Sequence, residues 1–507
     1  MTKYHWLVLV ATFSVFGLLV FWPHLSYPFP FHIDEWHHLT EAKRLVNPAN
    51  YFNWLQAVPG RATVGLEIGF QFWLLLLSRI FNIISIYKFL PALWAVFSGA
   101  TLFFVAYQKS TKNFLVAWLS LVFFMAIRTN TNLTGLWFFT PLSFSFPFIF
   151  LYTYFISEGI LAKSKKLLFS GFLIMLGLLF CHPLSVLFSF PILAIFIAIN
   201  YRDALKEKWL WLFLPIIFLG GVGFFSLVFG INPIVAMGKI FSLLKFSRGW
   251  GVLELNNSIF ELYPWLAWFW AIIGFSYLLS QDQNIRRYSF YLLWPIVLLS
   301  STLLYRLIGV SFFSPFQRNL YYLTLALPIL SGYGLYYFTQ KTLPKWLASW
   351  SNPPQSGRGI QTSRADKTAQ LIGGGLIVVT FLIVFWGYYE LPTTSRLYKI
   401  ITVDDYKTIQ LLAQKPPIII MSTPPIGTAL TALTNNEPVG SINFYGDRKI
   451  VESFYLKSNC QQKKKILDSV GATLVYWPTS IKPLDCSWGK LLRQSRDSQL
   501  FTIIETK

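Results

Sequence analysis

Long apolar runs separated by short polar loops dominate the chain. A helix that crosses a bilayer needs about 20 mainly apolar residues. The runs of this kind predict eleven transmembrane helices, over residues 6–23, 88–107, 113–128, 138–157, 167–181, 183–200, 209–230, 263–280, 288–305, 319–338 and 371–388. The pattern is typical of a polytopic membrane protein.

Basic residues between these runs set the predicted orientation, because Lys and Arg concentrate in cytoplasmic loops. With a cytoplasmic N-terminus, every basic cluster between spans falls on the cytoplasmic side. The clusters are Lys109 and Lys112; Lys163, Lys165 and Lys166; Arg202, Lys206 and Lys208; Arg286 and Arg287; and Lys341, Lys345, Arg358, Arg364 and Lys367. An odd number of crossings then places the C-terminal part outside.

One apolar stretch does not fit as a span. Counting residues 65–81 as a crossing would reverse every later loop. The stretch also carries Glu67, Gln71 and Arg79, which suit the membrane surface better than the bilayer centre. We therefore predict an interfacial helix within a first outside loop, 24–87.

Residues 390–507 change character. Short β-branched and aromatic runs (PPIIIM, ATLVYWP, LFTIIET) predict buried strands, and DDYKTIQLLAQ predicts a helix with an Asp at its start. The predicted organisation is a mainly α transmembrane domain over 1–389, followed by a small extracytoplasmic α/β domain over 390–507.

Composition supports a membrane protein. The chain is 54% hydrophobic and 19% aromatic, and 12% of its residues are charged, against about 25% in ordinary soluble domains. This excludes a disordered chain and argues against a large soluble enzyme. Of the 42 Lys and Arg against 21 Asp and Glu, about half of the excess falls in predicted cytoplasmic segments. That half of the excess reflects topology, and no nucleic-acid partner is expected.

The cysteines predict no disulfide framework, since there are three in the whole chain. Cys181 lies in an apolar run. Cys460 and Cys486 lie in the polar C-terminal part and could pair in an oxidising compartment, but the sequence alone leaves that pairing open.

The first outside loop carries the candidate chemistry. Asp34 and Glu35 follow an aromatic, Pro-rich exit from the first span, and Asp34, His38 and Glu41 would share one helix face. An acidic pair at the membrane surface can act as a general base for an acceptor hydroxyl or can bind a cation. The alternative is structural: Asp34 caps the helix and Glu35 stabilises its first turn.

This loop resembles the first-loop D-E-x-R-Y-A-E motif of the GT-C glycosyltransferases, which include protein O-mannosyltransferases and the lipid A aminoarabinose transferase. The resembling residues are Asp34-Glu35 and Glu41-Ala42-Lys43-Arg44-Leu45. A span that opens on a basic residue and Leu-Pro, here Tyr87-Lys88-Phe89-Leu90-Pro91-Ala92-Leu93, also resembles that family. The long first loop, the interfacial helix and the outside C-terminal domain match its layout.

The resemblance implies an inverting glycosyltransferase of the plasma (inner) membrane that uses a polyprenyl-phosphate-linked sugar. Asp34 would be the general base and Glu35 a supporting carboxylate, while the acceptor would be a lipid, glycan or protein outside the cell membrane. The departing phosphate needs a cation or other polar partners. The candidates are Lys88, His182, Arg248 and Arg318.

Three of these candidates have a structural alternative. Arg318 and Lys88 could extend to the interface with no ligand, and His182 could cap a helix hairpin. A divalent cation such as Mg²⁺ or Mn²⁺ would bind Asp34 with His37 or His38, and His32 is also near in sequence. Many members of the family place a second acid, often Asp-Pro, before the fourth span, where this chain has Thr140-Pro141. A metal site with two carboxylates is therefore not expected.

Motif searches narrow the function further. The chain has no P-loop, no G-x-G-x-x-G after a strand, no G-x-S-x-G and no H-E-x-x-H. The absence of these motifs argues against ATP-driven transport and against a Rossmann domain that binds a nucleotide sugar. The alternative function is a transporter or flippase of lipid-linked saccharides, which should show internal repeats and polar residues at mid-span. A purely structural membrane protein would leave the acidic loop unexplained.

Overall fold

The computed structural model describes residues 1–46, 67–129, 135–200, 206, 208–243, 245–246, 260, 262–351, 362–386, 398–413, 416–442, 447–456, 458–481 and 484–504. The described chain falls into two compact units. The first contains Met1–Trp22 and Leu90–Pro392, and the second contains Pro23–Phe89 and Thr393–Lys507. The first outside loop therefore belongs with the C-terminal residues.

The first unit is helical. Its helices, in chain order, are α1 (Lys3–Phe21), α5 (Leu90–Lys109), α6 (Phe114–Met125), α7 (Pro141–Leu161), α8 (Lys165–Cys181), α9 (Leu184–Leu187), α10 (Ser189–Ile199), α11 (Lys208–Phe229), α12 (Pro233–Leu243), α13 (Trp265–Leu279), α14 (Asp282–Ile308), α15 (Phe316–Tyr337), α16 (Leu343–Ser351) and α17 (Thr362–Phe385). A π-helical turn at Phe338–Thr342 joins α15 to α16, and the short strands β1 (Lys245–Phe246) and β2 (Ser311–Phe312) pair antiparallel.

Each of the eleven apolar runs coincides with helix, although 183–200 is divided between α9 and α10. Five described helical segments are long and apolar enough to cross a membrane: Lys3–His24, Leu90–Lys109, Pro141–Leu161, Ile285–Ile308 and Thr368–Phe385. Others, such as Phe114–Met125 and Trp265–Leu279, are shorter apolar helices. The molecule is thus a mainly helical membrane protein, and the count of eleven crossings stays a prediction.

The second unit combines helices with a sheet. The first-loop helices are α2 (Ile33–Arg44), α3 (Ile68–Ile80) and α4 (Ile83–Tyr87), and the C-terminal helices are α18 (Val403–Ala413), α19 (Pro424–Leu433), α20 (Arg448–Leu456) and α21 (Cys460–Val470). The strands are β3 (Ile419–Met421), β4 (Glu437–Pro438), β5 (Leu474–Pro478), β6 (Gly489–Gln494) and β7 (Ser498–Ile503). Helix α3 coincides with the stretch for which we predict an interfacial helix.

The sheet has the strand order β4-β3-β5-β7-β6. Strand β3 runs parallel to β4 and β5, whereas β7 runs antiparallel to β5 and β6. A buried cluster beneath it includes Met421, Phe454, Leu467, Val475, Trp477 and Phe501. A disulfide joins Cys460 and Cys486, whose Cα atoms are 5.5 Å apart. Whether 390–507 act as an outside domain of their own stays a prediction.

Two glycines allow α13 and α15 to approach closely. A Cβ on Gly274 would overlap the carbonyl oxygen of Leu330, and a Cβ on Gly334 would overlap that of Trp270. Small residues at such crossings let helix backbones pack in membranes, where lipid offers no hydrophobic drive for association.

Replacing Gly334 by Ala should therefore lower the thermal unfolding temperature of the detergent-purified protein, because the added methyl group must push two backbones apart, at a cost of about 1–3 kcal/mol. Gly375→Ala is the matched control, since nothing lies within 4 Å of the added Cβ. The close packing would be refuted if both variants unfolded at the wild-type temperature.

A buried ion pair joins α5 to α7. Lys109 is fully buried, its Nζ lies 2.5 Å from Oε1 of Glu158, and it also donates to the carbonyl oxygen of Arg287 at 3.2 Å. Removing one member of a buried pair leaves an uncompensated charge.

We expect Glu158→Ala to lower the free energy of unfolding by about 3–5 kcal/mol. The double variant Lys109→Met with Glu158→Gln should recover most of this loss, since neither charge then remains buried. Unfolding in detergent of the wild type, Lys109→Met, Glu158→Gln and the double variant measures the coupling, and additive effects would show that the pair does not interact.

Candidate active site

His32 and Glu35 cap the N-terminus of α2. The Nδ1 atom of His32 accepts the backbone N–H of Asp34 at 3.1 Å, and Oε2 of Glu35 accepts the N–H groups of Phe31 and His32 at 2.6 and 2.8 Å. This reciprocal arrangement is a capping box. The residue that caps the helix is thus His32, so the alternative in which Asp34 is the cap is wrong, whereas Glu35 does stabilise the first turn.

The Asp34 carboxylate is left at the surface of this turn. Its side chain is 44% exposed, and its Oδ2 atom lies 3.4 Å from Nδ1 of His32. Glu35, by contrast, is fully buried. The two acids therefore have different surroundings: Asp34 can reach a ligand, and Glu35 organises the loop that holds it.

The rest of α2 carries a buried polar face. His38 and Glu41 are buried, in the helical i, i+4, i+7 positions expected from Asp34. Nε2 of His38 lies 3.7 Å from Oε2 of Glu67, at the start of α3, and Oε1 of Glu41 lies 3.9 Å from an Arg44 nitrogen. His37 packs beside His38, with ring centroids 5.3 Å apart.

No group of three or more His, Cys, Asp or Glu side chains within the described ranges is arranged to hold a metal ion. The Asp34 carboxylate contacts His32 rather than His37 or His38. The fit of these residues to a divalent cation is therefore poor. A metal requirement stays a prediction.

Residues that follow the last predicted span lie beside this loop. The Lys399 N–H donates to the Phe31 carbonyl oxygen at 2.9 Å, and His32 forms an isolated antiparallel bridge with Tyr398. The Tyr27 hydroxyl donates to the Ile401 carbonyl oxygen at 2.9 Å. Sequence reasoning missed this pairing, because a single bridge between residues so far apart leaves no periodic signal.

Helix α2 also contacts α19. The hydroxyls of Thr40 and Thr431 are 3.0 Å apart, and Nζ of Lys43 donates to the Thr434 carbonyl oxygen at 2.5 Å, just after α19 ends. A cation there also interacts favourably with the helix dipole. Burial lowers the pKa of Lys43 from 10.5 to about 8.

This pKa predicts a pH dependence of stability. Between about pH 8 and pH 10.5 the unfolded chain binds more protons at Lys43 than the folded chain does, so folding stability should rise with pH in that window. Lys43→Met should reduce this rise. Lys490→Met, at an exposed lysine, should leave it unchanged. Thermal unfolding in detergent from pH 7.5 to pH 10.5 measures it, and identical slopes in wild type and Lys43→Met would contradict it.

Lys88 lies in the same unit, directly after α4. Its Nζ sits over the Phe89 ring, 4.9 Å from the centroid. The neighbouring Tyr87 is fully buried, and burial together with the negative charge of Glu35 raises its pKa well above the ordinary value. The structure thus groups Lys88 with the acidic loop in one unit.

The first unit holds a buried polar cluster around Ser185, which lies in α9. The Ser185 hydroxyl is 2.6 Å from Nδ1 of His182, 2.6 Å from the Ser145 hydroxyl and 3.1 Å from the Tyr322 hydroxyl. The Tyr152 hydroxyl donates to the Ser185 carbonyl oxygen at 2.9 Å. The His182 ring thus contacts α9 through Ser185 and α15 through the Tyr322 hydroxyl, which lies 3.4 Å from Nδ1.

Arg318 lies one helical turn before Tyr322 on α15. One of its terminal nitrogens, Nη1, is buried and makes no hydrogen bond to any described residue. Burial and the positive charge of Arg318 hold the pKa of His182, in the turn between α8 and α9, well below its usual value. A buried guanidinium N–H without an acceptor is suited to an anion.

Arg248 and Thr140-Pro141, the other positions singled out in the sequence, contribute less to the description of the site. Arg248 lies outside the described residues. Thr140 and Pro141 begin α7, with Thr140 at the N-cap and Pro141 in the first turn. The structure therefore brings Asp34, Glu35 and Lys88 into one unit and His182 and Arg318 into the other. Sequence reasoning missed Ser185 and Tyr322, whose hydroxyls come together only in the folded chain. It also missed the capping role of His32, which the Glu three residues later does signal.

Comparisons with known proteins identify the fold. No protein-family profile matches the chain, and no curated protein sequence matches it. Among solved structures, ArnT from Cupriavidus metallidurans in the apo state is similar with a TM-score of 0.61 and 12% identity, covering 97% of each chain. The oligosaccharyltransferase AglB from Archaeoglobus fulgidus, in complex with an inhibitory peptide and a dolichol-phosphate, is similar with a TM-score of 0.57 and 11% identity, over 94% of this chain and 69% of AglB.

The mycobacterial arabinofuranosyltransferase AftD is also similar, with a TM-score of 0.54 and 11% identity; 99% of this chain matches 40% of AftD. All three are GT-C glycosyltransferases. The chain therefore has the GT-C fold, and the resemblance seen in the first loop is confirmed. At such low identity the similarity establishes the fold, and activity has to be argued from this chain's own residues.

Proposed function

We propose that the chain is an integral-membrane glycosyltransferase that moves a sugar from a polyprenyl-phosphate-linked donor to an acceptor hydroxyl. The reaction is a single displacement with inversion. The acceptor oxygen forms a bond to the anomeric carbon, the bond from that carbon to the lipid phosphate breaks, and Asp34 takes the acceptor proton. The observation that carries this proposal is the exposed Asp34 carboxylate at a turn capped by His32 and Glu35.

The leaving phosphate takes the bonding electrons and needs compensation of its charge. Arg318 is assigned this role because its buried Nη1 lacks an acceptor, and His182 supports it through the Ser185 and Tyr322 hydroxyls. Lys88 is assigned to the donor phosphate because it belongs to the same unit as the acidic loop, and Arg248 is assigned on sequence alone.

The predicted reaction face is extracytoplasmic. The Cys460–Cys486 disulfide supports this assignment, because disulfides persist in oxidising compartments. Localisation in the plasma (inner) membrane, with a cytoplasmic N-terminus and an acceptor that is a lipid, glycan or protein, belongs to the same proposal. The AglB structure that contains dolichol-phosphate is consistent with a lipid-linked donor.

Reconstitution into vesicles distinguishes this function from lipid-saccharide transport. Vesicles with the purified protein receive a panel of polyprenyl-phosphate sugars labelled in the sugar, together with candidate acceptors. Label that moves from lipid to acceptor supports the transferase. Label that stays on the lipid but crosses to the other leaflet refutes it and establishes the transporter.

A further inference from the structure

The segment Tyr398–Ile401 is bound to the loop that carries Asp34. Its backbone pairs with that loop through the Lys399 N–H on the Phe31 carbonyl oxygen, 2.9 Å, and through the bridge between His32 and Tyr398. Lys399 also places its Nζ over the rings of Tyr27 and Phe31, 5.8 and 5.3 Å from their centroids. We call the segment Tyr398–Ile401 the strap.

The strap holds an unusual backbone conformation. Lys399 has a φ of 49°, in the left-handed region that residues other than Gly rarely adopt. Such conformations persist where surrounding contacts determine them, and they concentrate at functional sites. Here the determining contacts are those with the acidic loop.

The His32 ring connects the strap to Asp34. It is 3% exposed, and the Tyr398 ring packs edge-on against it with centroids 5.4 Å apart. On its other side, Nδ1 of the same ring contacts the Asp34 N–H at 3.1 Å and lies 3.4 Å from the Asp34 carboxylate. Ser, Thr, Asp or Asn is the usual cap at this position, but none of them is large enough to reach both Tyr398 and the carboxylate.

We propose that His32 and Tyr398 are positioning residues for Asp34. The strap fixes the His32 ring, and the ring limits the orientations of the exposed carboxylate, so that residues after the last predicted span contribute to the rate of transfer. The inference deepens the proposed function and rests on it. A misplacement of about 1 Å at a reacting group can cost a hundredfold in rate, so this restraint should act on kcat.

Two variants of the purified full-length protein test the inference by steady-state transfer from the lipid-linked donor. Tyr398→Ala removes the ring but leaves the backbone pairing. His32→Asn keeps a good N-cap but shortens the side chain that reaches Tyr398. Each should lower kcat about tenfold or more, with the KM for the donor changed less than about twofold. Tyr398→Phe keeps the packed ring and should retain the wild-type kcat.

Tyr406→Ala is the matched control. Its ring packs against Phe29, 4.8 Å between centroids, and so joins the same loop to the same C-terminal part without contacting His32. An equal loss of kcat in Tyr406→Ala would indicate a general structural effect and overturn the positioning role. If Tyr398→Ala does not fold, His32→Asn still tests the positioning role.

The result separates this inference from the proposed function. If Asp34→Asn abolishes transfer while folded Tyr398→Ala and His32→Asn keep the wild-type kcat, the positioning role is wrong and the proposed function stands. If the wild type transfers no sugar from any donor, both are overturned.

Discussion

Asp34→Asn should reduce the rate of sugar transfer by at least about a hundredfold, since a positioned general base contributes about 10²–10⁴ in rate. Asn has nearly the same shape and keeps the contact with the His32 ring, but its amide cannot accept the acceptor proton. The capping interactions of His32 and Glu35 do not involve the Asp34 side chain. The variant should therefore fold and unfold as the wild type does.

The control for this change is Asp404→Asn. Asp404 has a carboxylate of similar exposure, 42%, in the same unit, and it pairs with Lys407 at 3.8 Å on the surface of α18. We expect its transfer rate to equal that of the wild type. A wild-type rate for Asp34→Asn would show that another group accepts the proton.

Arg318→Ala should lower kcat/KM for the lipid-linked donor by about ten- to a hundredfold. Hydrogen bonds to charged groups contribute about 1.5–3 kcal/mol, and the buried Nη1 of Arg318 has no acceptor among the residues that the structure describes. Arg318→Lys should recover part of the loss, because it restores the charge but not the two-pronged geometry of the guanidinium.

Arg306→Ala is the corresponding control, because Arg306 is exposed in the last turn of α14. It should leave kcat/KM unchanged. Thermal unfolding of all three variants shows whether the bundle is intact. A wild-type kcat/KM for folded Arg318→Ala would remove Arg318 from the phosphate site.

The sequence predicted the helical layout well because bilayer crossing imposes a strict local rule. A run of about 20 apolar residues between polar loops is visible without any tertiary information. The acidic helix of the first loop was also predictable, since Asp34, His38 and Glu41 recur at helical spacing. Strands β3 and β5 fall within, and β7 overlaps, the three runs that β-branched and aromatic residues predict to be strands.

The contacts that position the candidate site were not predictable. His32 and Tyr398 meet across most of the chain, as do Tyr27 and Ile401, and no local pattern encodes such a pair. His182 and Tyr322 are in contact although they lie 140 positions apart in sequence. Asp34 is exposed, whereas Glu35 is buried and accepts backbone N–H groups. This difference arises from the fold of the turn, and two adjacent acids look alike in the sequence.

The proposed reaction breaks the bond between a sugar and a lipid phosphate. Cleavage of that bond is measured by counting the polyprenyl phosphate released by the purified protein against the sugar that reaches the acceptor. We predict one polyprenyl phosphate for each sugar transferred in the wild type, and release reduced at least about a hundredfold in Asp34→Asn. Donor that stays intact with an acceptor present, or release at equal rates in both proteins, would contradict the account.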